Sequence, residues 1–332
     1  MPRAGKHGAG EHGAGEHGAG EHGAGKHGAG EHGAGEHGAG EHGDSKPGDP
    51  VRIAMWSGPR TVSTALMRSW ANRPDTVVVD EPLYAYYLSR TGIEHPGREE
   101  ILRSQPADWR TVVGSLTSAP LPDGRTVCYQ KHMTHHLLPE VDRGTLGPLR
   151  HAFLIRDPAE LLASYARVRA TPTLDDLGIW QQAEIFATFG GPVVDSRDLL
   201  EHPEGVLRAL CAALGVPFSP AMLSWPAGPR DSDGVWAPHW YESVWRSTGF
   251  GPYQPPDRAL PPPLAALAGQ CQPFYQRLRA CRLTVDAQPQ APRSPVPPPP
   301  AATQPPVPPP PHAVRALPPD GRPVGPRPAG DA

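Results

Sequence analysis

The chain has 332 residues, with 31 Lys and Arg against 34 Asp and Glu, for a formal net charge of −3. So balanced a charge argues against non-specific nucleic-acid binding, which needs a basic face, and no nucleic-acid partner is expected. No apolar run is long enough to span a membrane, the N-terminus has no apolar signal-like stretch, and the four cysteines show no C-x-x-C spacing; a cytoplasmic, reduced setting is expected.

In chain order, residues 6–43 repeat Lys/Glu-His-Gly-Ala-Gly, with His7, His12, His17, His22, His27, His32, His37 and His42 at intervals of five. This composition cannot build a core, so residues 1–49 are expected to be disordered, with weak incidental affinity for Ni²⁺, Zn²⁺ or Cu²⁺. Residues 286–332 hold 18 Pro among 47 positions, which predicts a second disordered tail, a polyproline II spacer or docking segment. Between them, residues 50–285 are long enough to bury one substantial core.

Within that span the predicted strands are Val51–Trp56, Thr76–Val79, Thr126–Gln130, His151–Ile155 and Pro192–Asp195. Predicted helices are Thr61–Asn72, Leu83–Arg90, Pro158–Arg167, Leu174–Phe189, Pro203–Leu214 and Pro263–Arg279. The alternation predicts an α/β fold, a single three-layer domain around a mainly parallel sheet. In such sheets ligands bind beyond the carboxyl ends of the strands. Polar groups are expected there: Arg60 after the first strand, Glu81 after the second, Lys131 and His132 after the third. Arg156 and Asp157 follow the fourth, and Asp195 and Ser196 the fifth.

The first strand runs into Ser57-Gly-Pro-Arg-Thr-Val-Ser-Thr64 and then an apolar-periodic helix. A strand-turn-helix of this kind aims backbone N–H groups and the positive end of a helix at one point, which suits a phosphate. Arg60, Thr61, Ser63 and Thr64 add donors. The loop lacks the G-x-x-x-x-G-K-[ST] pattern of a triphosphate-binding loop. A second segment, Leu154-Ile-Arg-Asp-Pro-Ala-Glu-Leu-Leu-Ala-Ser-Tyr165, has Asp157 as N-cap, Pro158 at the first helical position and Glu160 completing a capping-box-like pattern. Arg156 then stays at the strand end and Ser164 lies two turns along the helix, so the two can share a phosphate.

These residues resemble sulfotransferases that use 3′-phosphoadenosine 5′-phosphosulfate (PAPS). That family's first loop typically reads Pro-Lys/Arg-Ser-Gly-Ser/Thr-Thr, here Pro59-Arg-Thr-Val-Ser-Thr64. Its second motif places Ser eight residues after Arg, as at Arg156 and Ser164. The run Val193-Val-Asp-Ser-Arg-Asp-Leu-Leu-Glu-His-Pro-Glu-Gly205 and the Leu-Gly-Val-Pro217 ending are similar as well. The resemblance implies a P-loop-like sulfotransferase fold and transfer of a sulfuryl group from PAPS to the hydroxyl (or amine) of a small-molecule acceptor, leaving 3′,5′-adenosine bisphosphate (PAP) and requiring no metal. It implies that Pro59, Arg60, Thr61, Val62, Ser63 and Thr64 hold the 5′-phosphosulfate, Arg60 stabilising the leaving phosphate, and that Arg156 and Ser164 hold the 3′-phosphate. A late loop, Arg230-Asp-Ser-Asp-Gly-Val-Trp236, is the expected counterpart of the segment that closes on the 3′-phosphate, through Arg230, Gly234 and Trp236. The family usually has Gly where Val62 stands; a β-branched residue is strained at φ > 0, so a locally different loop is expected.

Two candidates stand for the base that takes the acceptor's proton. Glu81, in Val79-Asp-Glu-Pro82, is kept extended by Pro82 and matches a Glu used after the second strand by members acting on carbohydrates or protein tyrosines. The other is Lys131-His132, similar to the Lys-x-His of small-molecule sulfotransferases, with Lys131 stabilising the transferring group. The alternative to an enzyme is a repurposed, non-catalytic nucleotide-binding relative with a metal-binding His-rich tail, a reading motivated by Val62.

Overall fold

The computed structural model describes residues 49–165, 171–256 and 258–285; the His-rich and Pro-rich tails and the end of the helix predicted to reach Arg167 lie outside them. Five strands form a parallel sheet: β1 (Val51–Ser57), β2 (Thr76–Asp80), β3 (Val127–Met133), β4 (Arg150–Ile155) and β5 (Val193–Asp195), in the order β2-β3-β1-β4-β5. β1 is flanked on one side by β3 and on the other by β4. The chain therefore reverses its direction of progress across the sheet at the carboxyl end of β1, where α/β sheets open a crevice.

Among the described residues, helices connect and cover the strands. They are α1 (Ser63–Ala71), α2 (Tyr84–Thr91), α3 (Arg98–Ser104), α4 (Trp109–Ser118), α5 (Pro158–Tyr165), α6 (Leu174–Leu177), α7 (Ile179–Phe189), α8 (Ser196–Glu201), α9 (Pro203–Ala213), α10 (Ala237–Trp240), α11 (Glu242–Trp245) and α12 (Pro262–Arg279). Because side chains alternate across a strand, the buried apolar run of β1 feeds two cores. Ile53 and Met55 pack on one face with residues of α1, α2 and α9, and Ala54 and Trp56 on the other with residues of α4, α7 and α12. Helix on sheet on helix is the expected three-layer α/β architecture.

Three departures from the predicted elements bear on the site. β3 continues three residues past Gln130, so Lys131 and His132 are strand residues on opposite faces of the sheet. α3 and α4 were not anticipated. The helix expected over Leu174–Phe189 breaks at Gly178, whose φ is 66° and where a Cβ would stand 2.3 Å from Thr134 Oγ1. No helix among the described residues is long and apolar enough to cross a membrane.

Candidate active site

The loop after β1 is held tightly enough to impose unusual backbone. A Cβ on Gly58 would stand 2.5 Å from the Leu177 carbonyl oxygen, and Thr61 Oγ1 donates to the Gly58 carbonyl at 2.9 Å. Arg156 Nη1 donates to the Arg60 carbonyl at 2.8 Å, and Ser196 Oγ to the Thr61 carbonyl at 2.9 Å. Between these anchors Arg60 has φ 59° and Val62 has φ 58°, ψ 19°. Val62 itself takes the left-handed conformation, strained for a β-branched residue, because neighbouring hydrogen bonds over-determine it. Val62 is also the N-cap of α1 and offers no side-chain acceptor. The amides of the first turn of α1 therefore have neither a capping side chain nor an intrahelical partner, and they carry the partial positive charge of the helix end.

Arg60 Nε donates to Ser164 Oγ at 3.1 Å. Arg156, besides its bond to the Arg60 carbonyl, approaches Glu160 Oε2 at 3.4 Å, and Tyr253 donates its hydroxyl to the other Glu160 oxygen at 2.5 Å. The two expected phosphate grips, one on Arg60 and one on Arg156 with Ser164, are therefore one hydrogen-bonded cluster. Pro59, Arg60, Thr61, Val62, Ser63, Thr64, Arg156 and Ser164 all line a cavity of about 230 Å³ at the carboxyl end of the sheet, and so do Glu81 and Lys131.

Glu81 reaches the cavity on a third strained backbone, φ 39°, rather than on the extended one expected ahead of Pro82. The three non-glycine residues with positive φ among those described, Arg60, Val62 and Glu81, all line this one cavity, the usual location of stored backbone strain. Lys131 Nζ contacts Glu81 Oε1 at 2.5 Å, Asp80 Oδ1 at 2.9 Å and the Tyr241 hydroxyl at 2.8 Å. Burial raises the Glu81 carboxyl above its ordinary range, opposed by the Lys131 charge. Burial works against the Lys131 ammonium, but Asp80 and Glu81 outweigh it and hold the group charged well above the usual lysine range.

His132 is not brought into the cavity. On the opposite face of β3, it is buried against the Trp56 ring, centroids 4.4 Å apart, with Nε2 3.1 Å from Gln130 Oε1. Burial, with a smaller push from His151, depresses it to about 3, so it is neutral and on the wrong side of the sheet to serve as the base. The physical reason is the two-residue period of a strand: adjacent Lys131 and His132 cannot face the same cleft. Asp195 and Ser196 are structural too. Asp195 accepts from the Arg197 amide and the Tyr275 hydroxyl, while Ser196 braces the β1 loop and β4.

The late loop also departs from expectation, because Arg230, Gly234 and Trp236 are not among the residues lining the cavity. Asp233 is drawn into a buried ion pair with Arg68 at 2.6 Å, accepts from the Trp245 indole at 2.9 Å and receives the Arg230 amide. The Gly234 amide donates to Asp80 Oδ2, and Trp236 is a core residue edge-on to Tyr84. What the loop delivers to the cavity is the segment beyond it, including Trp240, Tyr241 and Val244.

The remaining wall is aromatic. Tyr84 and Tyr87 both stack on His136, at 4.5 and 4.7 Å between ring centroids. Burial, reinforced by His135 and Lys131, holds His136 well below the ordinary histidine range, so this imidazole is neutral. His95 shares a short hydrogen bond with the Tyr84 hydroxyl and packs on Trp240. Tyr241 and His95 carried no sequence signal; no motif surrounds either. Among the described residues, no three His, Cys, Asp or Glu side chains are grouped to hold a metal ion.

A phosphate-suited helix end, two arginines and a buried carboxylate converge at the switch point of a parallel sheet. Residues 51–282 match the Sulfotransferase domain family, and the chain belongs to it. Relatives include the branched-chain-amino-acid aminotransferase-like proteins 2 and 1 of Arabidopsis thaliana. The first is 36% identical over 232 residues, covering 68% of this chain and 41% of that protein; the second is 38% identical over 237 residues, covering 70% and 42%. The chain spans about two-fifths of the length of these curated relatives. Similar solved structures are the sulfotransferase domain of the Synechococcus PCC 7002 olefin synthase and a sulfotransferase from Alicyclobacillus acidocaldarius. The former has 18% identity, 68% of this chain and 96% of that chain covered, and TM-score 0.40; the latter has 14%, 69%, 94% and 0.44.

Proposed function

We propose that this domain transfers a sulfuryl group from PAPS, the donor generally used by its family, to the hydroxyl of a small-molecule acceptor bound in the described cavity. The observation that supports it most is the meeting of the uncapped N-terminus of α1 with Arg60, Arg156 and Ser164 in the lining of a cavity that Glu81 also borders. These groups fit a doubly phosphorylated nucleotide and its acceptor: they supply backbone amides, two guanidiniums and hydroxyls, with a carboxylate in the same cavity.

The Glu81 carboxylate takes the acceptor's hydroxyl proton as the acceptor oxygen bonds to sulfur and the bond from sulfur to the leaving phosphate oxygen breaks. Arg60 and the first-turn amides of α1 receive the charge that collects on that phosphate, a stabilisation strongest where water is excluded. The rings of Tyr84, Tyr87 and Trp240 offer flat, uncharged surface to the acceptor. That Val62 itself adopts the left-handed turn supports the catalytic reading over a non-catalytic one.

The test is calorimetric titration of PAP into the full chain and its Arg60→Gln and Arg156→Gln variants, followed by transfer from labelled donor to a panel of phenols, alcohols and sugars. Loss of one charge-assisted contact is worth roughly 1.5–3 kcal/mol, so each variant is expected to bind PAP about 10- to 100-fold more weakly. Unchanged affinity in both would sink the donor assignment.

A further inference from the structure

Lys131 is the one lysine between residues 49 and 285, and it is 1% exposed. Its ammonium lies between two consecutive carboxylates, and these are held differently. Asp80 does not line the cavity and is saturated: Oδ1 accepts from Lys131 at 2.9 Å, and Oδ2 from the Tyr241 hydroxyl at 2.7 Å and the Gly234 amide at 3.2 Å. Tyr241 is itself fixed by the Trp236 indole at 3.2 Å. Glu81 shares the same ammonium but borders the cavity. Two carboxylates around one buried ammonium leave one excess negative charge in a poorly solvated site, and of the two it is Glu81 that borders the cavity.

We infer that Asp80 and Lys131 are positioning residues for Glu81: Asp80 pins the Lys131 ammonium, that ammonium fixes the Glu81 carboxylate at the edge of the cavity, and the two bring opposite charges to bear on it. This deepens the proposed role of Glu81 as base and rests on it. Facing Glu81 are Asp80 from the end of β2, Lys131 from β3, Tyr84 from α2 and Tyr241 from the α10–α11 junction. Arg60, Arg156, Asp176 and the imidazoles of His95, His135 and His136 share the cavity. The electrostatics run in the same directions as the geometry, since the Asp80 charge raises Glu81 and the Lys131 charge lowers it.

An infrared titration of the carboxyl C=O band in the full-length protein, with Glu81→Gln identifying the Glu81 contribution, reads this directly and needs no acceptor. Asp80→Asn is expected to lower the Glu81 midpoint and Lys131→Met to raise it, each by about one pH unit or more. Lys131→Arg, which keeps the charge, should return the midpoint towards the parent value. Opposite shifts are something a merely structural role does not produce. A midpoint that is unmoved or raised in Asp80→Asn overturns the inference, and the isosteric Asn variant decides this alone should Lys131→Met fail to fold. The reading beneath it fails separately: if Glu81→Gln transfers sulfuryl groups at the parent rate, Glu81 is no base, whatever its midpoint does.

Discussion

Val62 offers the sharpest test of how the loop after β1 is built. In an ordinary helix or strand, Gly is less stable than Ala by about 0.5–1 kcal/mol because it is freer in the unfolded chain. At φ 58°, ψ 19° the balance reverses, since left-handed backbone costs an L-residue with a Cβ roughly 1–2 kcal/mol. Val62→Ala and Val62→Gly both forfeit the packing of the half-buried isopropyl group against the core, so their difference isolates the backbone term. Setting the middle of that range, about 1.5, against about 0.75 leaves Gly ahead of Ala by roughly 0.75 kcal/mol, a Tm difference of about 1.5–3 °C for a domain of this size. The preference of N-caps for Gly over Ala acts in the same direction. Thermal and urea denaturation of the full chain, followed by tryptophan fluorescence, measures it. An Ala variant as stable as the Gly variant, or more so, would refute the claim that neighbouring hydrogen bonds hold this turn in a strained conformation.

Other outcomes follow from the same geometry. Gly178→Ala meets both a left-handed φ of 66° and a contact of 2.3 Å with Thr134 Oγ1, so a loss of roughly 2–4 kcal/mol is expected by denaturation. His132 and His151 are depressed by burial to about 3 and about 4. Their folded values lie below their unfolded ones, so the unfolded chain binds more protons in that window, and stability is present above about pH 6.5 and is lost as pH falls towards 3. Urea midpoints measured across that range should show an acid slope that His132→Gln flattens, while leaving kcat/KM within about threefold because the imidazole sits on the far face of β3; a collapse of kcat/KM without a loss of stability would restore His132 as a base candidate.

How much was legible in the sequence depends on how local the cause is. The β1 loop, the capped start of α5 and the alternation of apolar runs are set by neighbours a few residues apart, so the parallel α/β sheet and the places of Arg60, Glu81, Arg156 and Ser164 at its carboxyl end could be read directly. The side of the sheet on which Lys131 and His132 fall turns on where β3 ends, and a shift of three residues in that boundary decides between a cavity residue and a core residue. Arg230 and Trp236 carried a sequence pattern suited to a closing loop, yet the Arg68–Asp233 ion pair and the Asp80–Gly234 bond, between residues more than 150 positions apart, draw that segment inward instead.

The chain's own order of residues therefore determined the architecture and the placing of Arg60, Arg156 and Ser164, because short-range periodicity and capping dictate strand, turn and helix. Only the tertiary structure decided that Lys131 lies between Asp80 and Glu81, that Tyr241 and His95 belong to the cavity, and that Val62 can sit in a left-handed turn. Those outcomes come from hydrogen bonds and burial between distant segments, whose energies outweigh the local preferences that a sequence displays.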